Sequence, residues 1–337
     1  MRIVILGRED IKKILKLEDV IDVVKGAYCQ KSEGKAVIWP SIEYYFEEEK
    51  AVMDIRSGYV IGNKVHGLKM LNNFPLNSEL NLPCFNGMLM VFDSRTGIPK
   101  GVLDASYITS MRTGAAAALG VKSLARQDSK NLLIIGAGLQ AIYMIAVTLK
   151  VMPQLEKVRI YDPLSYNNAI SFTNNIIKTL ELDFLLNPER TEFTAVNDLP
   201  KTLKDTDAVI TVTRAKSPIV KKEWVKSGTH FSCIGADMIG KEELDPEIFK
   251  GARIFADDKD QSIKVGEMEF PIKNGIISEQ DIVGEIGDVL LNKIQGRRNR
   301  EEITIFDATG LALLDLVTGN LVIESALREE SGTVVEI

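Results

Sequence analysis

The residues with the clearest chemical implication form a glycine-rich turn, Gly-Ala-Gly-Leu-Gln-Ala, at 136–141. An apolar run at 131–135 precedes the turn, and a helical pattern begins at Ala141. In this context Gly136 allows a sharp turn, Gly138 lets a pyrophosphate approach the backbone, and Ala141 keeps the helix close to the strand. The turn therefore predicts a dinucleotide site at the N-terminus of a helix, where free amides favour phosphates. The residues predicted to contact the dinucleotide here are Gly136, Gly138, Leu139 and Gln140.

Asp162 ends the next predicted strand, at 157–161. It follows the turn by roughly the 20 residues expected for the acid that binds a ribose 2′-hydroxyl. A carboxylate at this place repels a 2′-phosphate, and the residues that follow, Pro163 to Ser165, offer no arginine to bind one. The sequence therefore predicts NAD as the cofactor.

Arg112 lies in a segment otherwise rich in small residues, from 106 to 118. A guanidinium surrounded by Ala and Gly is costly to bury without a partner. A carboxylate or a phosphate would supply one, and a guanidinium can bind either with two hydrogen bonds. We therefore expect Arg112 to anchor an anion where substrate and cofactor meet.

Lys69 and Asp237 each allow two interpretations. Lys69 lies on a predicted strand among apolar residues, so its ammonium group either escapes at an edge or faces a polar pocket. Asp237 follows the predicted strand 230–234, at the edge where open α/β sheets bind ligands. A carboxyl group there can act as a general acid or base, or it can cap a helix.

The elements that must position these residues change in style near residue 106. The front part combines a helical pattern at 9–32 with strands that we expect to be antiparallel, and a hairpin turn at 93–99. The later part alternates strands and helices, which indicates a parallel, doubly wound sheet of the Rossmann type. The strands predicted for this part are 131–135, 157–161, 191–196, 208–213, 230–234, 253–256 and 303–306, with helices at 140–150, 165–180 and 245–249. A helix at 311–329 is expected to pack back onto the front part.

Composition excludes several classes of function. The net charge is −6, which does not suit a nucleic-acid-binding face. Three separated cysteines and two histidines do not build a disulfide framework or a histidine-rich metal site, so we expect thiols and no metal. Neither a signal peptide nor a run of about 18 apolar residues occurs, so a cytoplasmic protein without membrane contact is expected.

The whole chain resembles the ornithine cyclodeaminase/mu-crystallin family. The segments that carry the resemblance occur in order along the chain and are specific together: Gly67-Leu68-Lys69 with Asn72 and Pro75, Asp93 to Pro99, Ile108 to Ala116, the glycine-rich turn, Ile210 to Thr213, Ile234 to Asp237, Gly240 to Leu244, and Phe306 to Ala312. The resemblance implies a homodimer in which an NAD-binding Rossmann domain, 119–311, is inserted into an α+β substrate-binding and dimerisation domain, 1–118 plus 312–337.

The resemblance also implies roles for individual residues. Lys69 would complement the substrate carboxylate or handle a proton near the α-carbon, and Asp237 would be the proton donor. Further contacts carried over from the family are to the dinucleotide from Arg112, Thr213, Lys241 and Ala308, and to the substrate from Arg112 and Thr309. Cys84 stands where the family has a threonine that contacts the cofactor, and it would lose one hydrogen bond.

The chain departs from the cyclodeaminase pattern before Lys69. It lacks an early arginine and a Glu that is followed by Met-Pro, and it has Asp54-Ile55-Arg56 nearby instead. Arg56 could replace the missing carboxylate binder, and Asp54 or Glu43 could meet a side-chain amine of the substrate.

The resemblance leaves three functions open, two of which are reactions of an α-amino or α-imino acid. The leading hypothesis is NAD-dependent conversion of L-ornithine, or a related amino acid, to L-proline and ammonia through an imine. This hypothesis rests on residues 235–244 and 306–312, whose sequences are similar to the cyclodeaminase pattern. The alternative is an alanine dehydrogenase or cyclic-imine reductase, which the missing Glu favours. A non-catalytic binding protein is the third, against which Lys69, Arg112 and Asp237 argue.

Overall fold

The strands of the computed structural model, which describes residues 1–336, form two eight-stranded sheets and one short pair. In chain order the strands are β1 Arg2–Leu6, β2 Ala36–Ile38, β3 Ile42–Phe46, β4 Ala51–Val60, β5 Val65–Asn73, β6 Phe85–Asp93, β7 Pro99–Asp104, β8 Asn131–Ile135, β9 Lys157–Tyr161, β10 Glu192–Ala195, β11 Ala208–Thr211, β12 Lys216–Val220, β13 His230–Cys233, β14 Glu242–Leu244, β15 Arg253–Ala256, β16 Ile282–Glu285, β17 Thr304–Asp307 and β18 Thr333–Glu336.

The α-helices are α1 Arg8–Ile14, α2 Leu17–Ser32, α3 Ala105–Leu124, α4 Ala141–Val151, α5 Tyr166–Phe184, α6 Leu199–Leu203, α7 Lys259–Ser262, α8 Glu269–Lys273, α9 Ile286–Leu290 and α10 Ala312–Arg328. Short 3-10 helices cover Pro75–Leu80, Lys222–Trp224, Pro246–Ile248 and Glu279–Asp281. The chain divides into a first unit, residues 1–112 with the chain from 311 onward, and a second unit, residues 113–310.

The sheet of the first unit has the order β18-β1-β7-β6-β5-β4-β2, with β3 also paired to β4. Its central strands β4, β5, β6 and β7 pair antiparallel, as the sequence predicts. The N-terminal strand β1, which the sequence did not indicate, adds a parallel pair with β7. The tight turn between β6 and β7 is held by Asp93, whose carboxylate accepts hydrogen bonds from the amides of Arg95 and Thr96.

Helix α10 covers one face of this sheet, and two glycines make its close approach possible. A Cβ at Gly58 would come within 3.1 Å of Leu313, and one at Gly67 within 2.8 Å of Leu316. Both contacts involve apolar side chains of α10, which buries most of its length. The predicted packing of the C-terminal helix onto the front part is therefore present.

The predicted single helix at 9–32 is wrong, because the chain forms two helices there. Leu15 has an extended backbone and ends α1, and Lys16 precedes α2. The break keeps both Leu15 and Leu17 buried, which a continuous helix would not achieve at this spacing. The predicted helix at 245–249 is likewise reduced to the 3-10 turn Pro246–Ile248.

The sheet of the second unit has the order β10-β9-β8-β11-β13-β17-β15-β16, and all its strands are parallel. The predicted doubly wound, Rossmann-type sheet is confirmed. Its central strand β8 is buried over Leu132 to Ile135, as expected for a parallel sheet covered on both faces. The chain moves outward from β8 in one direction to β10 and then returns to β11, so the order reverses beside β8.

None of the helices in the described residues is long and apolar enough to cross a membrane. The three cysteines form no disulfide bond.

Candidate functional site

The glycine-rich turn follows β8 at the point where the strand order reverses, and open α/β sheets bind ligands at such a point. Gly136 has a φ of 112°, and a Cβ there would come within 2.8 Å of the Val212 carbonyl oxygen. At Gly138, by contrast, a Cβ would meet no atom within 4 Å. The turn thus leaves open space beside Gly138 and leads into α4, whose N-terminal amides favour phosphate. These features fit a dinucleotide.

Asp162, at the end of β9, holds this turn. One carboxylate oxygen accepts a hydrogen bond from the Ala137 amide at 3.0 Å. The other accepts from the amides of Leu164 and Ser165 and from the Asn168 side chain, each at 3.1 Å. Burial opposes ionisation of Asp162, but these hydrogen bonds lower its pKa below the ordinary value. The residue is therefore a carboxylate next to the turn, and its contact with a ribose stays a prediction.

Thr213 and Ala308 follow β11 and β17 at the same carboxyl edge of the sheet. The Thr213 amide donates a hydrogen bond to Glu243 at 2.7 Å, and the Ala308 amide donates to the Cys233 carbonyl at 3.0 Å. Both backbones are thus fixed at the edge where a dinucleotide would bind, and their contacts with it stay predictions.

Thr309 is buried in the second unit, and its hydroxyl takes part in local hydrogen bonds. It donates to Asp257 at 3.0 Å and accepts from the Gln261 side chain at 2.9 Å. The Gly310 amide donates to the same Asp257 carboxylate at 2.8 Å. These bonds explain why this segment has a fixed conformation, whereas the predicted contact of Thr309 with substrate is untested.

Asp237 lies in the loop after β13, and 43% of its side chain is exposed. It forms an ion pair with Lys241, whose ammonium group also lies 3.4 Å from the Gly235 carbonyl oxygen. The chain continues into strand β14, so the helix-capping interpretation of Asp237 is wrong. The role of Asp237 as a proton donor stays a prediction.

In the first unit, the predicted residues Lys69 and Arg112 meet on one carboxylate. Lys69 on β5 donates to one oxygen of Asp315 at 2.8 Å, and Arg112 on α3 donates through Nε to the other at 3.0 Å. The hydroxyl of Thr109 donates to that second oxygen at 3.2 Å. Lys69 and Asp315 are fully buried, and Arg112 nearly so.

The burial of this cluster changes its proton affinities. Burial, and then the charge of Arg112, lowers the pKa of Lys69 to about 8, although the Asp315 carboxylate partly compensates. Burial opposes ionisation of Asp315, but the positive charges of Arg112 and Lys69 bring its pKa below the ordinary value. Asp315 is therefore a carboxylate, and Lys69 can gain or lose its proton near neutral pH.

Arg56 extends this polar cluster along the sheet. It lies directly opposite Lys69 in the β4–β5 register, and its Nε donates to Asp54 at 2.8 Å. The second oxygen of Asp54 is buried and has no hydrogen-bond partner in the described part of the chain. Glu43 lies opposite Asp54 on β3 but is exposed. The structure thus places Arg56 and Asp54 on the sheet face that carries Lys69.

Cys84 also lies in the first unit, shortly after the 3-10 helix Pro75–Leu80. Its thiol is 3.5 Å from the Pro75 carbonyl oxygen. This contact fixes the end of that loop, and the predicted cofactor contact of Cys84 stays untested.

Both histidines contact neighbouring side chains of their own sheets. His230 is buried at the start of β13, where its ring nitrogens pair with the hydroxyls of Thr304 and Ser232. Burial, and then the charge of Arg297, lowers its pKa to about 3, so it remains neutral at physiological pH. His66 stacks on Phe92. Both ring nitrogens of His230 are engaged inside the sheet, which gives this residue a structural place.

Sequence reasoning missed Asp315 and Glu243. The sequence did contain a sign that Asp315 is buried. It lies between the apolar pairs Leu313-Leu314 and Leu316-Val317, in a helix predicted to pack onto the front part. A carboxylate in such a position needs a cationic partner, and Lys69 and Arg112 were available. Glu243 stood in a recognised motif, but its partners are backbone amides, which no sequence pattern displays.

The ornithine cyclodeaminase/mu-crystallin family matches the chain over residues 1–330. The chain belongs to this family. An alanine dehydrogenase from Archaeoglobus fulgidus is 33% identical over 336 residues, which cover 100% of this chain and 99% of the relative.

Two solved structures of this family are similar over their whole length. An archaeal alanine dehydrogenase dimer with bound NAD has a TM-score of 0.90 and 32% identity, with all of both chains covered. The Δ1-pyrroline-2-carboxylate reductase of Thermococcus litoralis, in complex with NADH and L-proline, has a TM-score of 0.89 and 29% identity, with 98% of this chain and 99% of that chain covered. The predictions of an enzyme and of NAD as the cofactor are confirmed at the level of the family.

Proposed function

We propose that the chain is an NAD(H)-dependent oxidoreductase that interconverts an α-imino acid and the corresponding α-amino acid. The imine would form from a 2-oxo acid and ammonia or would belong to a ring that carries a carboxylate. In the reductive direction, the imino acid takes up one hydride from NADH and one proton, and it yields the amino acid and NAD⁺. The main support for this proposal is the buried ion-pair group of Lys69, Arg112 and Asp315.

The charges of this group favour an anionic ligand. Two cations face a single buried carboxylate, so one positive charge is in excess when Lys69 is protonated. Arg112 bonds to Asp315 through Nε, and its two Nη groups are not needed for that bond. They form the planar fork that a carboxylate binds with two hydrogen bonds. A ligand carboxylate would therefore neutralise the group.

The reduction also needs a source of hydride and a source of one proton. NAD(H), when bound at the turn of residues 136–141, supplies or accepts the hydride. Lys69, with its pKa of about 8, carries a proton at neutral pH and can share it with a ligand. Asp237 lies in an accessible position in the loop after β13, and we assign it the delivery of a proton to the substrate.

Net redox chemistry has the better support of the two reactions considered. The similar enzymes named above are an alanine dehydrogenase and an imine reductase, and the chain lacks the Glu of the cyclodeaminase pattern. Ornithine cyclodeamination stays a second candidate because of one observation: the buried Asp54 oxygen without a partner among the described residues could accept a hydrogen bond from a substrate amine.

The test measures NADH consumption by the purified protein with ammonium and a series of 2-oxo acids, and with cyclic imines that carry a carboxylate. The proposal predicts stoichiometric formation of NAD⁺ and amino acid with at least one of them. In a parallel incubation, L-ornithine with trace NAD⁺ that yields proline well beyond the NAD⁺ supplied would instead establish cyclodeamination. No turnover in either incubation would refute both candidates and favour a binding protein.

We also propose that the protein is a homodimer that pairs through the sheet of the first unit. The face opposite α10 carries apolar side chains that the described residues leave partly or largely exposed. Ile42, Tyr44 and Met88 on this face are 57%, 58% and 64% exposed. An exposed apolar face of this kind marks an interaction surface, and a second copy of the chain fits it because the similar archaeal structure is a dimer.

A further inference from the structure

Glu243 is a buried residue of β14 whose carboxylate joins two loops. One oxygen accepts a hydrogen bond from the Thr213 amide at 2.7 Å, and the other accepts from the Gly235 amide at 3.0 Å. Thr213 follows β11 and Gly235 follows β13, and these strands are neighbours in the sheet. The side chain therefore links the loops that leave two adjacent strands at the edge where the dinucleotide turn lies.

The packing around this carboxylate leaves no space for adjustment. A Cβ at Gly235 would come within 2.5 Å of the Glu243 carboxylate and within 2.4 Å of the Thr213 carbonyl oxygen. A Cβ at Gly136, on the dinucleotide turn, would come within 3.1 Å of the Thr213 methyl group. Close contacts thus run from Gly136 through Thr213 and Glu243 to Gly235, and Asp237 follows shortly after.

Two further buried carboxyl groups support this arrangement. Glu267 accepts hydrogen bonds from the amides of Glu243 at 2.7 Å and Leu244 at 3.0 Å, and so fixes β14. Glu269 accepts from the Gly240 amide at 2.8 Å, in the loop of Asp237.

Of the two neighbouring carboxyl groups, Glu267 has the higher affinity for a proton. Burial raises the pKa of Glu243, whereas burial together with the charges of Glu243 and Asp307 raises that of Glu267 well above its usual range. Glu243 can therefore remain the carboxylate that both amides require, while Glu267 takes the proton.

We propose that Glu243 is a positioning residue that fixes the loops of Thr213 and Asp237 relative to the dinucleotide turn, and that NADH binding and turnover depend on it. The inference rests on the proposed NAD(H)-dependent function. It assigns a role to the Gly-Lys-Glu-Glu-Leu segment beyond that of Lys241. Glu243 acts through the two backbone amides and need not touch the cofactor.

The test is Glu243→Gln, which keeps the size of the side chain but turns an amide NH₂ towards one of the two backbone N–H donors. The matched control is Glu242→Gln, the neighbouring buried residue of the same strand. NADH affinity is measured by fluorescence titration, kcat and KM by NADH consumption, and folding by thermal unfolding. For Glu243→Gln we expect folded protein with about tenfold weaker NADH binding and about tenfold lower kcat, since a buried donor loses its acceptor.

The KM for the imino acid should stay within about threefold, because Lys69 and Arg112 are unchanged, and Glu242→Gln should match the wild type in all measurements. A folded Glu243→Gln protein with wild-type NADH affinity would overturn the inference. If this variant does not fold, Gly235→Ala decides: its methyl group displaces the carboxylate without removing it, and unchanged NADH binding would overturn the inference.

NADH affinity separates this inference from the proposed function. A wild-type protein that binds NADH but reduces no imino acid would refute the proposed function, and the affinities of the variants would still decide the role of Glu243. A wild-type protein without affinity for NADH would overturn both.

Discussion

Asp315 decides the charge state of Lys69. Its carboxylate is the main influence that keeps a proton on this buried lysine, against burial and against the charge of Arg112. In the reductive direction Lys69 must be protonated, whether it binds the substrate carboxylate or shares its proton. Activity should therefore be present below pH 8 and be lost as the pH rises through about 8.

Asp315→Asn should move this loss of activity to lower pH, because the negative charge that raises the pKa of Lys69 is gone. The measurement is the pH profile of kcat/KM for imine reduction. Glu324→Gln, an exposed carboxylate of the same helix, is the control and should retain the wild-type profile. A profile for Asp315→Asn that coincides with that of the wild type would disprove the coupling.

Asp237→Asn should separate chemistry from cofactor binding. The side chain is half exposed and its main partner is Lys241, so its loss should leave the fold and NADH affinity within about twofold of wild type. Because the proposed proton donor is removed, kcat should fall by about a hundredfold or more. Steady-state kinetics and NADH titration of the same preparation test this, and an unchanged kcat would show that another group delivers the proton.

The β8–turn–α4 unit uses its two glycines for different purposes. Gly136 is required by the backbone, because its φ is positive and a Cβ would collide with the Val212 carbonyl oxygen. Gly138 instead leaves space open for a ligand. Substitution at the two positions should therefore have opposite signatures.

Gly138→Val should leave the thermal midpoint unchanged and abolish NADH binding. Gly136→Val should reduce the free energy of unfolding by at least about 1 kcal/mol, because a branched side chain is strained at this φ. Thermal unfolding and NADH titration of both variants check the contrast. Full NADH binding by Gly138→Val would show that the open space is not the phosphate site.

Elements of this kind could be predicted from sequence because their signals are local. The strand–turn–helix unit and Asp162 lie within about thirty residues of one another, as the dinucleotide pattern requires. The break between α1 and α2 could not be predicted, because it depends on the burial of both Leu15 and Leu17 against other elements. The Lys69–Asp315 pair likewise joins residues from opposite ends of the chain.

In the whole molecule, the sheet face of the first unit opposite α10 carries apolar side chains that the described residues leave partly or largely exposed. Its apolar residues alternate with those that pack on α10, as the two faces of a sheet must. The residues of this face include Ile42, Tyr44, Ile55, Leu68, Met70, Met88 and Met90. A dimer would remove them from water.

Met88→Lys should therefore shift the protein from dimer to monomer, since it would place a charge in the buried interface. Leu182→Lys is the control: it changes an equally exposed apolar residue of α5, and it should remain dimeric. Sedimentation or light scattering measures the mass of each variant. A monomeric wild-type protein, or a dimeric Met88→Lys protein, would reject this interface.

The proposed enzyme exchanges hydride between NAD(H) and an imino acid whose carboxylate binds the Lys69–Arg112–Asp315 group. The most direct measurement compares NADH consumption with the best imino acid and with its carboxamide, for the wild-type protein and for Arg112→Met. We expect rapid turnover of the acid by the wild type, and a loss of about a hundredfold or more in kcat/KM for either the amide or the variant. Equal kcat/KM for acid and amide, or an unaffected Arg112→Met enzyme, would contradict this proposal.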